Sequence, residues 1–194
     1  MATEKTVSQI ASIAKAASLQ LAHLPVDIKN RALELAASAI EGGCLSILQE
    51  NIKDLEFAQN ENISGPLIAR LRLNENKIME MAKGIRSVIS LEDPVGQQQM
   101  AIEMDEGLTL YRVTCPIGVI GAIFESRPDA VPQISSLCLK SGNAVILKGG
   151  REAQYSNEII VSLITDAIDK VDGVPTGSVQ MIKTRSEVVD MLKE

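Results

Sequence analysis

Cys115-Pro-Ile-Gly-Val-Ile-Gly-Ala-Ile-Phe-Glu-Ser-Arg-Pro-Asp129, followed by Ser136-Leu-Cys-Leu-Lys-Ser-Gly-Asn-Ala-Val-Ile-Leu-Lys-Gly-Gly-Arg-Glu152, decides the fold. Residues 118–124 form a short apolar run that suits a buried strand, and 130–139 carry helical spacing. A second apolar run at 144–147 precedes a long helical pattern over 152–171. A third strand candidate at 179–182 leads into a helix over 186–192. Strands alternating with helices through short connections predict right-handed parallel crossovers in a Rossmann-type α/β sheet. Ligands in such sheets bind at the carboxyl ends of the strands.

Two strand ends are candidate binding points. One is Phe124-Glu125-Ser126-Arg127-Pro128-Asp129, where charged and hydroxyl residues follow a strand at once. The other is Lys148-Gly149-Gly150-Arg151-Glu152, where glycines allow close backbone approach and two cations suit a phosphate. The residues alone leave alternatives open. Lys-Gly-Gly is more often an ordinary strand-to-helix turn, and Arg127 is equally an ion-pair partner of Glu125 or Asp129. Neither G-x-G-x-x-G nor a P-loop motif is present.

Upstream, Val7, Ile10, Ile13, Ala14, Ala17 and Leu21 recur at helical spacing until Leu24-Pro25. Asp27 is placed to cap a second helix with Ile28, Ala32, Leu35, Ala36, Ala39 and Ile40 on one face, stopped by Gly42-Gly43. Residues 45–58 and 75–89 read as further helices, separated by a polar stretch over 60–65. Beyond Asp93-Pro94, Met100-Ala-Ile-Glu-Met and Leu108-Thr-Leu-Tyr-Arg-Val flank a turn at Asp105-Glu106-Gly107, a hairpin pattern. The organisation expected is a helical part over 1–97, a β-hairpin over 98–114 and an α/β nucleotide-binding part over 115–194.

Of the 194 residues, 45% are hydrophobic but only 2% aromatic, so the core must be aliphatic. A net charge of −6 with few stacking rings argues against nucleic-acid binding. The charged start lacks a signal-peptide pattern, and no apolar run approaches the roughly 18 residues of a membrane helix. Cys44, Cys115 and Cys138 form no CxxC pair, which argues against a zinc site or disulfide framework. Cys138 shares a helical face with Ile134 and Leu137 and reads as core packing. Cys115 reads as structural, and His23 as a surface residue. The expectation is a cytoplasmic protein without a metal centre.

The run from Cys115 to Val131 and that from Ser136 to Ala153 resemble the gamma-glutamyl phosphate reductase family, as do Asp93-Pro94-Val95-Gly96 and the preceding helices. More distantly the chain is similar to the aldehyde dehydrogenase superfamily. The resemblance implies NADPH-dependent reduction of L-glutamyl 5-phosphate to L-glutamate 5-semialdehyde, a step of proline biosynthesis. It places Phe124, Glu125, Ser126, Lys148, Gly149, Gly150 and Arg151 at the cofactor, with Lys148 on the adenosine ribose and Arg151 favouring a 2′-phosphate. Arg127 becomes a candidate contact to the substrate phosphate or the oxyanion. The partners implied are that substrate, glutamate 5-kinase and further copies of the chain, through the hairpin. The family's catalytic cysteine falls beyond the equivalent of Glu194, so this chain is expected to be the cofactor-binding half and inactive alone. The competing readings are a non-catalytic nucleotide-binding or oligomerisation module and a helical interaction domain.

Overall fold

Helix ends in this chain are set by short polar signals. A computed structural model describes residues 6–193. Thr6 and Gln9 form a reciprocal capping box at the start of α1 (Val7–Leu21), and Thr184 and Glu187 form another at α8 (Arg185–Met191). Asn74 accepts from the Lys77 amide to open α5 (Glu75–Ile89). Between these lie α2 (Val26–Gly42), α3 (Cys44–Asn60) and α4 (Gly65–Leu71). The hairpin pairs β1 (Gln98–Asp105) with β2 (Leu108–Val113). Then follow β3 (Val119–Ile123), α6 (Ala130–Lys140), β4 (Ala144–Lys148), a 3₁₀ turn (Arg151–Ala153), α7 (Gln154–Ile168) and β5 (Val179–Met181).

The three later strands form a parallel sheet in the order β3-β4-β5, with Val119 opposite Ala144, Ile123 opposite Lys148 and Val145 opposite Val179. Helix α1 packs on all three strands and on α8, covering one face. The crossover helices α6 and α7 cover the other, with α2, α3 and α5 packed outside them. The core is aliphatic, built on Leu21, Leu33, Ile40, Ile78, Ile146, Leu147 and Ile160.

Several expectations are corrected. β3 is an edge strand rather than a buried one, and Ile123 is 60% exposed. Asp27 lies in the first turn of α2 and Pro25 occupies the capping position, because proline ends the preceding run and leaves the helix to start at Val26. The buried face of α2 holds Ala32, Ala36 and Ile40 as expected and adds Leu33 and Ala37, while Leu35 is exposed and Ala39 half-buried. The polar stretch over 60–65 gives way to α4, whose Leu71 packs on Ala58 and Ala153 in a small satellite core. Cys138 is buried, and burial pushes its thiol up to about 11. His23 is exposed.

Candidate functional site

The carboxyl ends of β3 and β4 meet at one point. The Phe124 amide donates to the Lys148 carbonyl at 3.0 Å, carrying the ladder one residue beyond the strands. The chain then turns sharply at Ser126, a buried residue at φ 33°. A left-handed serine costs on the order of 1 kcal/mol, so something must hold it. Glu152 does: its Oε1 accepts from the Ser126 amide at 2.8 Å and from Ser126 Oγ at 2.5 Å. Burial pushes the Glu152 carboxyl upward, but the Ser126 hydrogen bonds and the Lys148 charge outweigh it and hold the pKa below its ordinary value. Glu152 therefore ties the two strand ends together as an anion.

Gly149 and Gly150 are glycines for reasons of space. A Cβ on Gly149 would collide with Asn157 Nδ2, and one on Gly150 with Glu152 Oε1. The Phe124 ring lies against the same backbone, its Cε2 3.3 Å from the Cβ position of Gly149. Asn157 is fully buried beneath this turn, and neither of its amide atoms has a partner among the described residues. Lys148 is half-buried, while Glu125 and Arg151 are exposed.

Helix α3 braces the segment from behind. Asp54 accepts from the amides of Tyr155 at 3.0 Å and Ser156 at 2.8 Å, so a buried carboxylate from another helix caps α7. Burial pushes the Asp54 pKa above its ordinary value, against the hydrogen bonds from Ser156 and Tyr155. Asn51 donates to Ser156 Oγ and to the Leu71 carbonyl, each at 3.0 Å, and accepts from the Leu73 amide at 2.9 Å. One turn on from Asp54, the Phe57 ring carries the Arg151 guanidinium 4.9 Å from its centroid. Asn51, Asp54, Phe57 and Glu152 were not anticipated. A signal for the first three was available: residues 51, 54 and 57 fall at three-residue spacing on one helix face.

Arg127 stands apart from this group. It is exposed and paired with Asp129 at 2.7 Å, which settles the partner in favour of Asp129 over Glu125. It opens onto a cleft of about 830 Å³ shared with Arg70, Asn74, Lys77 and Glu80, and none of residues 148–157 lines that cleft. The structure thus brings Phe124, Ser126, Lys148, Gly149 and Gly150 together, sets Arg151 at their margin and directs Arg127 elsewhere. No cluster of metal-binding side chains occurs among the described residues, and none of their helices is long and apolar enough to cross a membrane.

The sequence model of the aldehyde dehydrogenase family matches residues 1–194. The gamma-glutamyl phosphate reductase of Pelotomaculum thermopropionicum is 49% identical over 187 residues, covering 96% of this chain and 43% of that protein. The crystal structure of the gamma-glutamyl phosphate reductase of Thermotoga maritima superposes with a TM-score of 0.92 at 36% identity, over 97% of this chain and 46% of that one. The corresponding structure from Saccharomyces cerevisiae gives 0.89 at 39% identity, over 97% and 48%. The chain thus spans less than half the length of these relatives. On its fold, its strand-end site and a match along its whole length, the chain belongs to the aldehyde dehydrogenase family.

Proposed function

We propose that this chain is the NADPH-binding portion of a gamma-glutamyl phosphate reductase, acting in the cytoplasm on L-glutamyl 5-phosphate to give L-glutamate 5-semialdehyde. The family implies a nicotinamide cofactor. The observation that carries the NADPH reading is the pair of crowded glycines at the joined strand ends, flanked by the cations Lys148 and Arg151. These residues fit a phosphate-bearing nucleotide. The Gly149-Gly150 backbone has no side chain to hold a ligand off, and the nearby acid, Glu152, is already committed to Ser126. Lys148 and Arg151 would hold the ribose and its 2′-phosphate, and Phe124, Glu125 and Ser126 would line the strand end. NADPH, when bound, supplies the hydride. Arg127 would meet the acyl phosphate, as a guanidinium offers paired donors to such a group.

Calorimetric titration with NADPH and NADH tests the cofactor. Charge-assisted hydrogen bonds are worth about 1.5–3 kcal/mol each, less where solvent reaches them. NADPH is therefore expected to bind about ten-fold tighter than NADH, and Arg151→Glu to abolish the difference. Equal affinities in the unmodified chain would refute the assignment.

Catalysis needs a thiolate, and the three thiols here are poorly placed to supply one. Cys138 is buried with its thiol pushed up to about 11, which leaves almost no thiolate at neutral pH. Cys115 lies before the amino end of β3, across the sheet from Phe124. Cys44 opens α3 thirteen residues before Phe57, about 20 Å along the helix. Purified chain alone is accordingly expected to reduce no acyl phosphate, measured as NADPH consumption. Turnover that disappears in Cys138→Ser would overturn this reading.

The same reading takes glutamate 5-kinase as a partner and copies of the chain as partners through the hairpin. A second reading, a non-catalytic oligomerisation module, draws on that hairpin, where Met104, Leu108 and Leu110 are 62%, 61% and 51% exposed.

A further inference from the structure

We propose that Phe57 is a specificity-positioning residue: its ring holds the Arg151 guanidinium in place while leaving the N–H donors free for a phosphate on the adenosine ribose. This rests on the NADPH reading above and deepens it.

The argument begins with how an exposed arginine can be positioned at all. A long side chain in solvent samples many rotamers, and binding must then order it. Pairing with a carboxylate would fix it but would also consume the donors that a phosphate needs. Arg127 illustrates this in part, since one of its guanidinium nitrogens donates to Asp129 and only the remaining donors stay open to a phosphate. Arg151 is held differently. Its guanidinium lies over the Phe57 ring at 4.9 Å, and no acidic side chain among the described residues pairs with it. The adjacent acid, Glu152, is turned toward Ser126. A ring attracts the cation through its face and takes none of the five N–H donors.

The support is also rigid. Phe57 lies one turn beyond Asp54 on α3, and Asp54 grips the Tyr155 and Ser156 amides at the start of α7. Asn51, one turn earlier, bonds Ser156 Oγ and the chain around Leu71. Ring and guanidinium therefore sit on two segments that are pinned to each other. Phe57 is one of two phenylalanines in the chain, and the other, Phe124, lies against Gly149 of the same site.

The test is calorimetric titration of the 194-residue chain with NADPH, NADH and adenosine 2′,5′-bisphosphate. Phe57→Leu is expected to weaken NADPH and the bisphosphate about three- to ten-fold, the range of one partly exposed cation–π contact, and to leave NADH unchanged. Phe57→Tyr, which keeps the ring, should retain the unmodified affinities. Once Arg151→Ala is present, Phe57→Leu should have no further effect on NADPH. An equal loss for NADPH and NADH, or an undiminished loss in the Arg151→Ala background, would overturn the proposal. Should Phe57→Leu fail to fold, Arg151→Lys keeps the charge while giving up the flat guanidinium. It should lose selectivity by a similar factor, and unchanged selectivity would count against Phe57. If Arg151→Glu leaves NADPH binding intact, or if the chain binds neither cofactor, the NADPH reading fails, whatever Phe57 does.

Discussion

Asp93→Ala is expected to cost about 3 kcal/mol of folding stability, measured by urea unfolding at neutral pH. Lys29 is among the largest fully buried side chains, and its ammonium rests on both Asp93 oxygens at 3.1 and 2.9 Å. Lys140, also buried, reaches Asn30 Oδ1 at 2.8 Å and the Ile89 carbonyl at 3.0 Å close by. Burial pulls the Lys140 pKa down, Asp93 opposes that pull and Lys29 adds to it. Removing Asp93 leaves two buried ammonium groups without a carboxylate, and breaking a buried pair from one side is the costly way to break it. The figure is taken at the low end of that range because Asp93 itself is 20% exposed. Asp93 also accepts from the Val95 amide at 3.0 Å, so the base of the hairpin loosens at the same time.

The sign of the pH dependence follows from Lys140. A lysine whose folded pKa lies below its unfolded value binds fewer protons when folded, so stability rises with pH through the window below the unfolded pKa of 10.5. The deficit of Asp93→Ala should therefore shrink as the pH is raised toward 10. Lys29→Met in the Asp93→Ala background should recover much of the loss, because it removes one uncompensated charge. A deficit under 1 kcal/mol at neutral pH would mean that water already screens the pair.

The parallel sheet was legible because its apolar runs are short, separated by helical spacing and bounded by turn residues. What the runs did not carry was strand order. The apolar content of β3 matches that of β4, yet β3 lies at the edge and β4 in the middle, a difference set by the crossovers. The α2 face is only partly legible for a related reason, with Ala32, Ala36 and Ile40 expected but Leu33 and Ala37 not. An alanine-rich helix offers apolar positions on several faces, and contact with α5 and α7 selects Leu33 and Ala37. Helix α4 escaped notice because its seven residues open on Gly65-Pro66, and it is held by Leu71 packing on Ala58 and Ala153. At the site, the residues that follow the strands were visible as strand ends. Glu152 is visible as part of the second strand end but its role is not, since its partner Ser126 lies 26 residues away. The α3 face was hidden by distance along the chain, Asp54 reaching amides 101 and 102 residues on.

That face supports the second large effect. Asp54→Ala is expected to destabilise the chain by about 2–3 kcal/mol, as two amides at the start of α7 lose their acceptor and one of them, on Ser156, lies in the buried interior. Asp54→Asn keeps one side-chain acceptor of the same shape and should cost about half as much. The two variants also separate the cap from the charge. Burial raises the folded pKa of Asp54 above its ordinary value of 3.8, so the folded state binds more protons than the unfolded state in the window just above that value. Stability contributed by this group therefore falls as pH rises through the window, and Asp54→Asn should lack that slope. Glu152 acts in the opposite sense. Its lowered pKa gives stability that is present above 4.5 and lost as pH falls through the folded value. The consequence for the site is positional. Arg151 stands only a few residues before the capped amides, so losing the cap should release the turn that carries it. Amide hydrogen exchange in Asp54→Ala is expected to accelerate more at Tyr155 and Ser156 than at the centre of β4, where only the loss of global stability is felt. Uniform acceleration through β4 would instead show that α3 supports the whole sheet rather than the cofactor turn.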